Sequence, residues 1–440
     1  MTGPELVAKV WEGGVVGAGG AGFPTHLKLK ARVEIVVANG AECEPLLQVD
    51  RQLLAAEAGV ILQALKAVKE AVGAVRAYVA LKAKYLEAAE TIKRLLPSYP
   101  GLELKFVPDV YPVGDEQVLV FETTGRLVPE GGIPPQVGVL VLNIETLFNI
   151  YNALTGWPVV DKYVTVTGAV ARPLTLKVPI GTPVAELLAL VNPTAQDFIV
   201  LDGGPMMGKP ILPTQAVVTK TTKGLIVLPS QHPLARRKQL SARVALKRAL
   251  AACCQCRECT EFCPRYLLGQ AIEPHKTLRS VTYGVSSDSS SILSAFLCSE
   301  CGLCDLFACT LELSPRQVNI ALKAELKRQG YRPQPKNRFL KVRPWRKHRQ
   351  VPASRLLARL GLLPYERPAP LSLELYQPRQ VILPLQQGAG RPVQPLVRPG
   401  DKVARGEVIG RLAENEMGAN LHASIAGTVV HVGDTIVIRA

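Results

Sequence analysis

The sequence lacks any run of roughly 20 uninterrupted apolar residues, which is the length that a membrane-spanning helix needs. Its first residues also lack the charged-then-apolar order of a secretory signal. These two absences predict a cytoplasmic protein without a transmembrane segment. A chain of 440 residues is too long for one ordinary hydrophobic core, so we expect three or more domains.

Acidic residues are missing between Tyr331 and Arg355, a stretch that contains nine Lys or Arg residues. The net charge of +16 is concentrated rather than spread along a recognition element, and no nucleic-acid-binding module surrounds this stretch. We therefore exclude nucleic acid as a partner and interpret residues 331–375 as a solvated basic linker. A docking patch for an acidic partner is the alternative.

Cysteine is scarce outside one region, since nine of the ten cysteines lie between Cys253 and Cys309. A secreted disulfide scaffold of this size would not concentrate them in this way, so we interpret them as metal ligands. The first run, CCQCRECTEFCPR, has the C-x2-C-x2-C-x3-C-P spacing of bacterial two-cluster ferredoxins. The second run, CSECGLCDLFACTLELSPR, has four residues instead of three before its last cysteine and lacks the proline.

In ferredoxins of this type the fourth cysteine of each run serves the other cluster. The crossed arrangement predicts one 4Fe-4S cluster on Cys253, Cys256, Cys259 and Cys309, and a second on Cys263, Cys298, Cys301 and Cys304. Zinc is the alternative metal, but it prefers two separated C-x2-C pairs. Cys254 stands out of register beside a predicted ligand, and we expect it to be a packed thiol.

The remaining patterns divide the chain. Alternating glycine-rich turns, β-branched runs and helical periodicity predict an α/β layered domain over residues 1–158. Short Val, Thr and Ile runs between Gly and Pro predict a small β-grasp-type domain over residues 159–230. Helical patterns surround the cysteines over residues 240–330, and regularly spaced turns predict an all-β module over residues 376–440.

A glycine-rich loop lies near the N-terminus, in the segment GAGGAGFPTHLK of residues 17–28. Its glycines would let backbone amides approach an anionic group such as a phosphate. The loop is neither a Walker A motif nor a G-x-G-x-x-G placed directly after a strand. Three polar segments bounded by turn formers follow it: NGAECEPL at 39–46, YPVGDEQ at 111–117 and NIETLFN at 143–149.

These four segments, in this order, resemble the flavin- and NADH-binding subunit of respiratory complex I. They resemble more closely the RnfC-type electron-transport subunits and the cobalamin reductases of propanediol utilisation. The resemblance covers nearly the whole chain and implies a multidomain α/β and α+β protein. Its domains would be a complex I flavin-subunit-like (Rossmann-like) domain, an SLBB β-grasp domain, a two-cluster ferredoxin-like helical domain and a C-terminal all-β barrel-sandwich hybrid.

The last module, including VRPGDKVARGEVIGR, resembles lipoyl and biotinyl carriers, which present a lysine on the hairpin between their two halves. Residues 413–423 contain no lysine, so we expect a structural or docking role. In RnfC proteins this module precedes the flavin domain, whereas here it is last, as in the cobalamin reductases. The order favours the latter family.

The resemblance implies an FMN site, and the residues of this chain at the positions that contact FMN in the family are expected to contact it here. These are Gly17, Gly19, Gly20, Gly22, Phe23, Lys28, Asn39, Asp115, Glu116 and Asn143. Glu42 and Glu44 match an acidic pair that faces flavin and nicotinamide nucleotide, and we expect them to be catalytic. Ala41 and Cys43 depart from the family's motif, and we expect Cys43 to pack near the flavin.

NADH releases electrons in pairs as a hydride, whereas a 4Fe-4S cluster accepts one at a time, and a flavin bridges the two. The implied reaction passes electrons from NADH through FMN and two 4Fe-4S clusters to a corrinoid or an acceptor protein. Association with a bacterial microcompartment or a membrane complex is part of the same expectation. The alternatives are an RnfC-like or proline-reductase-associated subunit that exchanges electrons with a ferredoxin-like or membrane partner, and a non-catalytic iron-sulfur scaffold.

Overall fold

A computed structural model describes residues 2–284, 289–333, 339–413 and 416–440. Its first domain is a parallel sheet with strand order β3-β2-β1-β5. The elements are α1 (Gly3–Glu12), α2 (Thr25–Lys28), β1 (Ile35–Asn39), α3 (Val49–Ala56), α4 (Ala58–Ala71), β2 (Arg76–Lys82), α5 (Leu86–Leu95), β3 (Leu102–Val107), β4 (Val110–Tyr111), α6 (Glu116–Thr124), β5 (Val139–Asn143) and α7 (Ile144–Leu154). Val36 and Ala38 pack under the helices on one face of the sheet, and Val37 packs with α6 residues on the other. Burial on both faces explains the continuous apolar runs of these strands.

The second domain is a mixed sheet crossed by one helix. Its elements are β6 (Asp161–Gly168), β7 (Leu174–Pro179), α8 (Val184–Val191), β8 (Phe198–Asp202), β9 (Lys209–Ile211) and β10 (Gly224–Pro229). Val164, Leu187 and Leu225 belong to its separate apolar core. A further strand from residues 371–375 runs parallel to β7 at the edge of this sheet. The topology matches the β-grasp architecture expected for this stretch.

The cysteine-rich region consists of short helices. They are α9 (Pro233–Lys238), α10 (Ala242–Ala252), α11 (Glu258–Glu261), α12 (Pro264–Leu267), α13 (Pro274–Tyr283), α14 (Ser289–Leu293) and α15 (Pro315–Arg328). Pro264 and Pro315 occupy first-turn positions, where the missing amide hydrogen costs no helical hydrogen bond. One π-helical turn, Leu303–Phe307, lies within the second cysteine run.

The basic segment, defined here as residues 339–365, is anchored by buried side chains such as Arg346, Val351 and Leu356 while Lys341, Lys347 and Arg355 stay exposed, so the expectation of a solvated linker is wrong in part for these residues. It contains β11 (Val351–Pro352) and α16 (Ala353–Arg359), and β11 pairs antiparallel with β4 of the first domain. The side chain of Arg346 forms an ion pair of 2.5 Å with Glu122 and is only 10% exposed. Arg349 forms a second ion pair, of 3.2 Å, with Glu258 of α11. The segment therefore connects the first domain to the cysteine region through strand pairing and ion pairs. Residues 334–338 of the predicted linker lie outside the described part.

After β12 (Leu371–Leu375), the C-terminal module contains two small sheets, in agreement with the predicted all-β fold. Its strands are β13 (Gln380–Pro384), β14 (Gln394–Pro395), β15 (Lys402–Val403), β16 (Val408–Arg411), β17 (Leu421–His422), β18 (Gly427–Val432) and β19 (Thr435–Arg439). The carrier-type hairpin at 413–423 is described except for residues 414 and 415. Across the described ranges of the chain, no helix combines the length and the apolar character needed to cross a bilayer.

Candidate functional site

The glycine-rich loop closes on itself and leaves its middle open. The Gly17 amide donates to the Phe23 carbonyl oxygen at 2.9 Å, while Gly19 and Gly20 are exposed. A Cβ atom on Gly19 would lie 3.0 Å from the Asn143 amide nitrogen, whereas one on Gly20 would meet nothing within 4 Å. Glycine at position 19 thus permits a close approach to Asn143, and open space remains above the loop for a bound group.

Two asparagines lie at the carboxyl ends of adjacent parallel strands, because Asn39 and Asn143 are register partners on β1 and β5. The Asn39 side chain donates to the Gly114 carbonyl oxygen at 2.9 Å. The Asn143 side chain caps α7 by accepting from the Glu145 amide at 3.0 Å. The carboxyl edge of a parallel sheet is where ligands bind in open α/β folds. The structure thus brings the glycine-rich loop and the segments at 39–46, 111–117 and 143–149 together at this edge.

The predicted contacts Lys28, Asp115 and Glu116 lie around the start of α6. The Lys28 ammonium forms an ion pair of 2.6 Å with Glu116, and both side chains are partly exposed. Asp115 instead caps α6 by accepting from the Gln117 and Val118 amides, and forms an ion pair of 2.8 Å with Arg265. Asp115 is therefore directed toward the cysteine region, whereas Lys28 is paired with Glu116 and stays partly exposed.

The carboxylates of Glu42 and Glu44 both accept hydrogen bonds from backbone amides. Glu42 accepts from the Asp50 amide at 2.9 Å at the start of α3, and burial, followed by repulsion from Asp50, raises the pKa of Glu42 to about 7. Glu44 accepts from the Met206 and Met207 amides at 2.9 Å each, and burial raises the pKa of Glu44. These contacts support positioning roles, and the catalytic assignment of the pair stays a prediction.

The close packing of Glu44 accounts for the glycine at position 204 of the second domain. A Cβ atom on Gly204 would lie 2.0 Å from the Glu44 carboxylate, so only glycine fits beside it. Cys43, which precedes Glu44, packs against Gly114. A Cβ atom placed on Gly114 would lie 3.0 Å from the Cys43 sulfur. Burial raises the pKa of the Cys43 thiol to about 12, which leaves it protonated at neutral pH.

Eight cysteines lie in two neighbouring groups, and their positions are compatible with the crossed arrangement, which stays a prediction. The outer set is defined as Cys253, Cys256, Cys259 and Cys309, which line one cavity. The inner set is defined as Cys263, Cys298, Cys301 and Cys304. Burial raises the pKa values of Cys263, Cys301 and Cys304, and repulsion from Cys298 adds a smaller contribution to each. Cys309, the last cysteine of the second run, thus lies with the cysteines of the first run. Cys263, the last cysteine of the first run, lies near Cys298 of the second run.

The loops that carry the two sets have matching backbones. Gln255 and Arg257 of the first run have φ angles of 57° and 68°, and Glu300 and Gly302 at the equivalent places in the second have 61° and 82°. Such turns direct amides at the sulfur atoms, as where the Glu300 amide lies 3.4 Å from the Cys298 sulfur. Amide hydrogen bonds to sulfur are one determinant of cluster potential. The donor set and its amides fit iron-sulfur clusters.

The extra residue of the second run lies within the π-helical turn Leu303–Phe307. A π turn accommodates one more residue than an α turn. Cys309 therefore reaches the outer set despite four intervening residues, and the Leu313 amide lies 3.4 Å from its sulfur. Within the described ranges, no three Cys, His, Asp or Glu side chains converge as the ligands of a single metal ion would.

The two sets differ in exposure. Cys263, Cys301 and Cys304 of the inner set are buried, whereas Cys256 of the outer set is exposed. Cys254 is exposed as well, so the expectation of a packed thiol is wrong. Spacing alone does not determine the side of the loop on which a residue lies.

The inner set lies directly against the segments at the sheet edge. The Tyr111 hydroxyl donates to the Cys301 carbonyl oxygen at 2.6 Å and lies 3.4 Å from Glu44. Arg265, which pairs with Asp115, follows Cys263 by two residues. Sequence reasoning missed Tyr111 and Arg265, although Tyr111 opens the segment YPVGDEQ that it had singled out.

Comparison with known proteins agrees with this organisation. Residues 10–152 match the Nuo51 FMN-binding domain, 163–210 the SLBB domain, 252–314 the 4Fe-4S dicluster domain and 371–440 the RnfC barrel sandwich hybrid domain. The predicted fold class is confirmed. The chain has an FMN-binding domain and a domain for two 4Fe-4S clusters.

Among curated proteins, cobalamin reductase PduS of Salmonella typhimurium is 42% identical over 437 residues, which cover 99% of this chain and 96% of that protein. The PduS protein of Citrobacter freundii is 41% identical, covering 96% of this chain and 94% of its own. One component of the Na(+)-translocating ferredoxin:NAD(+) oxidoreductase complex of Acetobacterium woodii is 32% identical, over 61% of this chain and 59% of its own. The solved structure of an NAD+-reducing NiFe-hydrogenase has a similar fold, with a TM-score of 0.50 at 20% identity, over 76% of this chain and 63% of that one.

Proposed function

The chain belongs to the family of cobalamin reductase PduS, and from this premise we propose that it is an NADH-dependent oxidoreductase that reduces a corrinoid through FMN and two 4Fe-4S clusters. The observation that carries the proposal is that the sheet edge of the flavin domain contacts the inner set, and that the outer set adjoins the inner set. Tyr111 and Asp115 of the flavin domain contact the inner set's loops directly. Bound FMN supplies the exchange between a hydride and single electrons.

The chain's own residues hold and position these groups. The amides of Gly19, Gly20 and Gly22 and the ammonium of Lys28 would bind the flavin phosphate, while the Gly17 amide closes the loop on Phe23. Asn39, Asn143 and Glu116 would border the flavin. Phe23, which is 44% exposed, offers an aromatic face to the nicotinamide nucleotide. Glu42 and Glu44 hold the backbone around the flavin in place, because each is bound to two amides. The inner and outer sets ligate one cluster each.

Exposure supports an order of transfer within this proposal. The inner set is buried beside the flavin domain, so a cluster held there would be the first to receive electrons. The outer set includes the exposed Cys256, so a cluster held there would be the one accessible to the acceptor. In this proposal the protein works in the cytoplasm, alone or within a bacterial microcompartment, as the likeness to PduS suggests.

Anaerobic reconstitution followed by stopped-flow mixing with NADH tests this function. We expect about eight irons and one FMN per chain, with flavin bleaching before cluster bleaching. Hydroxocobalamin added afterwards should be reduced, and chain reconstituted without iron is the control. Zinc in place of iron, or clusters that dithionite reduces and NADH never does, would contradict the proposal.

A second candidate function is electron exchange with an acidic protein partner, in the manner of the ion-translocating oxidoreductase complexes. The observation that favours it is the exposed face of α10, the helix that leads into Cys253, which carries Arg243, Lys247 and Arg248. Among the residues that the structure describes, these three cations have no ion-pair partner. Long-range attraction of an acidic partner falls with ionic strength, whereas reduction of free hydroxocobalamin should not depend on it in this way. Salt dependence therefore separates the two functions.

A further inference from the structure

Two buried ion pairs cross the boundary between the flavin domain and the second domain. Lys223, directly before β10, pairs with Asp50 of α3 at 2.5 Å. Lys162 of β6 pairs with Glu145 of α7, and all four residues are buried. Replacing a buried ion pair by apolar residues is often neutral for stability, so such a pair is weak evidence of a stabilising role alone. What distinguishes the two pairs is the third group that each contacts.

The two carboxylate oxygens of Asp50 lead in different directions. One pairs with Lys223, and the other accepts from the side-chain amide of Asn143 at 2.9 Å. Glu145, by contrast, pairs with Lys162 through one oxygen and accepts from the Tyr163 amide at 3.1 Å through the other. The Asp50 pair therefore connects the second domain to an expected flavin contact, whereas both oxygens of Glu145 bond to the second domain.

These contacts fix the orientation of the Asn143 side chain. Its oxygen caps α7 by accepting from the Glu145 amide at 3.0 Å, and its nitrogen donates to Asp50. The same nitrogen would lie 3.0 Å from a Cβ atom on Gly19, so the amide lies against the glycine-rich loop. A side-chain amide nitrogen carries two hydrogens, so the bond to Asp50 leaves one for a bound group.

Close packing between the domains determines where Lys223 lies. A Cβ atom on the next residue, Gly224, would overlap the Leu47 side chain of the flavin domain, so the two chains meet at this point. The Lys223 carbonyl oxygen accepts from the Thr165 amide of β6 at 3.1 Å. Docking of the second domain therefore places a fixed positive charge beside Asp50.

We propose that Asp50 and Lys223 are positioning residues for FMN: Lys223 fixes the Asp50 carboxylate, and Asp50 holds the Asn143 amide at the glycine-rich loop. The inference rests on the proposed function, in which Asn143 borders the flavin. It gives the second domain a part in the flavin site, because that domain supplies the charge that orders an asparagine of the first. An amide already held in place loses little freedom when the flavin binds, which favours affinity.

The test compares the two ion pairs in the full chain with its clusters, from which FMN has been removed and is titrated back. Asp50→Leu/Lys223→Met removes the pair and the acceptor for Asn143, and we expect the dissociation constant of FMN to rise at least tenfold. Glu145→Gln/Lys162→Met is the matched control at the same boundary, and should change this constant less than twofold.

The midpoint potential of the bound flavin and the melting temperature separate positioning from stability. The potential should fall in the Asp50 variant, because a misplaced donor no longer favours the electron-rich reduced flavin, and should stay unchanged in the control. A purely structural role would lower the melting temperature of both variants and leave the dissociation constant and the potential as in wild type. That result would overturn the inference.

Asn143→Ser shows whether the pair acts through Asn143, since serine can still cap α7 but lacks the amide nitrogen. We expect Asn143→Ser to raise the dissociation constant at least tenfold, and Asp50→Leu/Lys223→Met to raise it less than twofold further in that background. Full additivity would overturn the inference alone. Unchanged affinity in Asn143→Ser would overturn it together with the flavin contact assigned under the proposed function. If Asp50→Leu/Lys223→Met does not fold, Asp50→Asn/Lys223→Met keeps the shape of the aspartate and should weaken binding at least threefold.

Discussion

The outer and inner sets share the geometry of their loops and differ in what surrounds them. Both runs turn through left-handed backbone at two equivalent positions, and both send their fourth cysteine to the other set. The inner set, however, lies beside Tyr111 and Arg265, whereas the outer set includes the exposed Cys256 and packs in part against the apolar side of α10. Local sequence thus determines how iron is held, and the docking of neighbouring domains determines what each cluster can reach.

The largest expected effect comes from removing one ligand of each set. If the proposed order holds, Cys301→Ser should abolish reduction of the outer cluster and of hydroxocobalamin by NADH, because the inner cluster would be the first to receive electrons. Cys256→Ser should lower iron from about eight to about four per chain and leave the inner cluster reducible by NADH. Iron analysis with stopped-flow absorbance distinguishes the two variants. If Cys256→Ser were the variant that blocks cluster reduction by NADH, the assigned order of electron transfer would be reversed.

The ion pair between Asp115 and Arg265 tests the join between the inner set and the flavin domain. Both side chains are nearly buried, at 11% and 12% exposed, so Arg265→Gln should destabilise the protein by about 3 kcal/mol. Asp115→Asn keeps the α6 cap and also breaks the pair, and the double variant should recover part of the loss. The measurement is the urea midpoint followed by cluster absorbance. Strict additivity of the two substitutions would show that the pair does not couple the domains.

The Tyr111 hydroxyl makes a smaller contribution at the same join. Tyr111→Phe removes the donor to the Cys301 carbonyl oxygen, and we expect a loss of about 1 kcal/mol with slower bleaching of the inner cluster. Tyr99→Phe is a matched control, since the Tyr99 hydroxyl bonds only at 3.4 Å to Gly59, far along the chain from the cysteines. Equal kinetics in the two variants would remove Tyr111 from the contact that aligns flavin and cluster.

Charge reversal on α10 should affect the outer set alone and have the smallest effect on stability. Lys247→Glu/Arg248→Glu changes exposed side chains, so stability should shift by no more than about 0.5 kcal/mol. Electron transfer to an acidic protein acceptor should slow and lose its salt dependence, while reduction of free hydroxocobalamin stays the same. Lys66→Glu/Arg94→Glu is the control with equal change in net charge. Equal rates for both pairs of substitutions would exclude α10 as a docking face.

The spacing of the cysteines predicted the dicluster domain that the comparison finds at 252–314, and the structure places Cys309 near Cys253, Cys256 and Cys259 despite its extra residue, while the ligand sets themselves stay a prediction. This worked because ligand spacing is a local property, and a single π turn absorbs the irregularity. The four flavin segments were identified by resemblance, and the structure brings them together because strand ends of a parallel sheet share an edge. The family resemblance identified the bound group as FMN, whereas the glycines alone predicted only an anion such as a phosphate.

Contacts between domains could not be predicted from the sequence. Tyr111 and Cys301 are 190 positions apart, and no local pattern indicates that a hydroxyl in one domain meets a carbonyl in another. The basic segment was misread for the same reason: its ion-pair partners, Glu122 and Glu258, lie in other domains. A charge run is typical of solvated chain until the acids that neutralise it are located in space.

The C-terminal module lies on the N-terminal part of the chain. The Asn420 side chain donates to the Trp11 carbonyl oxygen at 3.2 Å, and the Ala389 amide donates to the Ala21 carbonyl oxygen at 3.0 Å. A circular permutant that begins with residues 376–440 and continues from Thr2 would keep these partners, provided that a short joining peptide spans the old termini. Evolution could therefore move this module from one end of a gene to the other and preserve the assembled molecule.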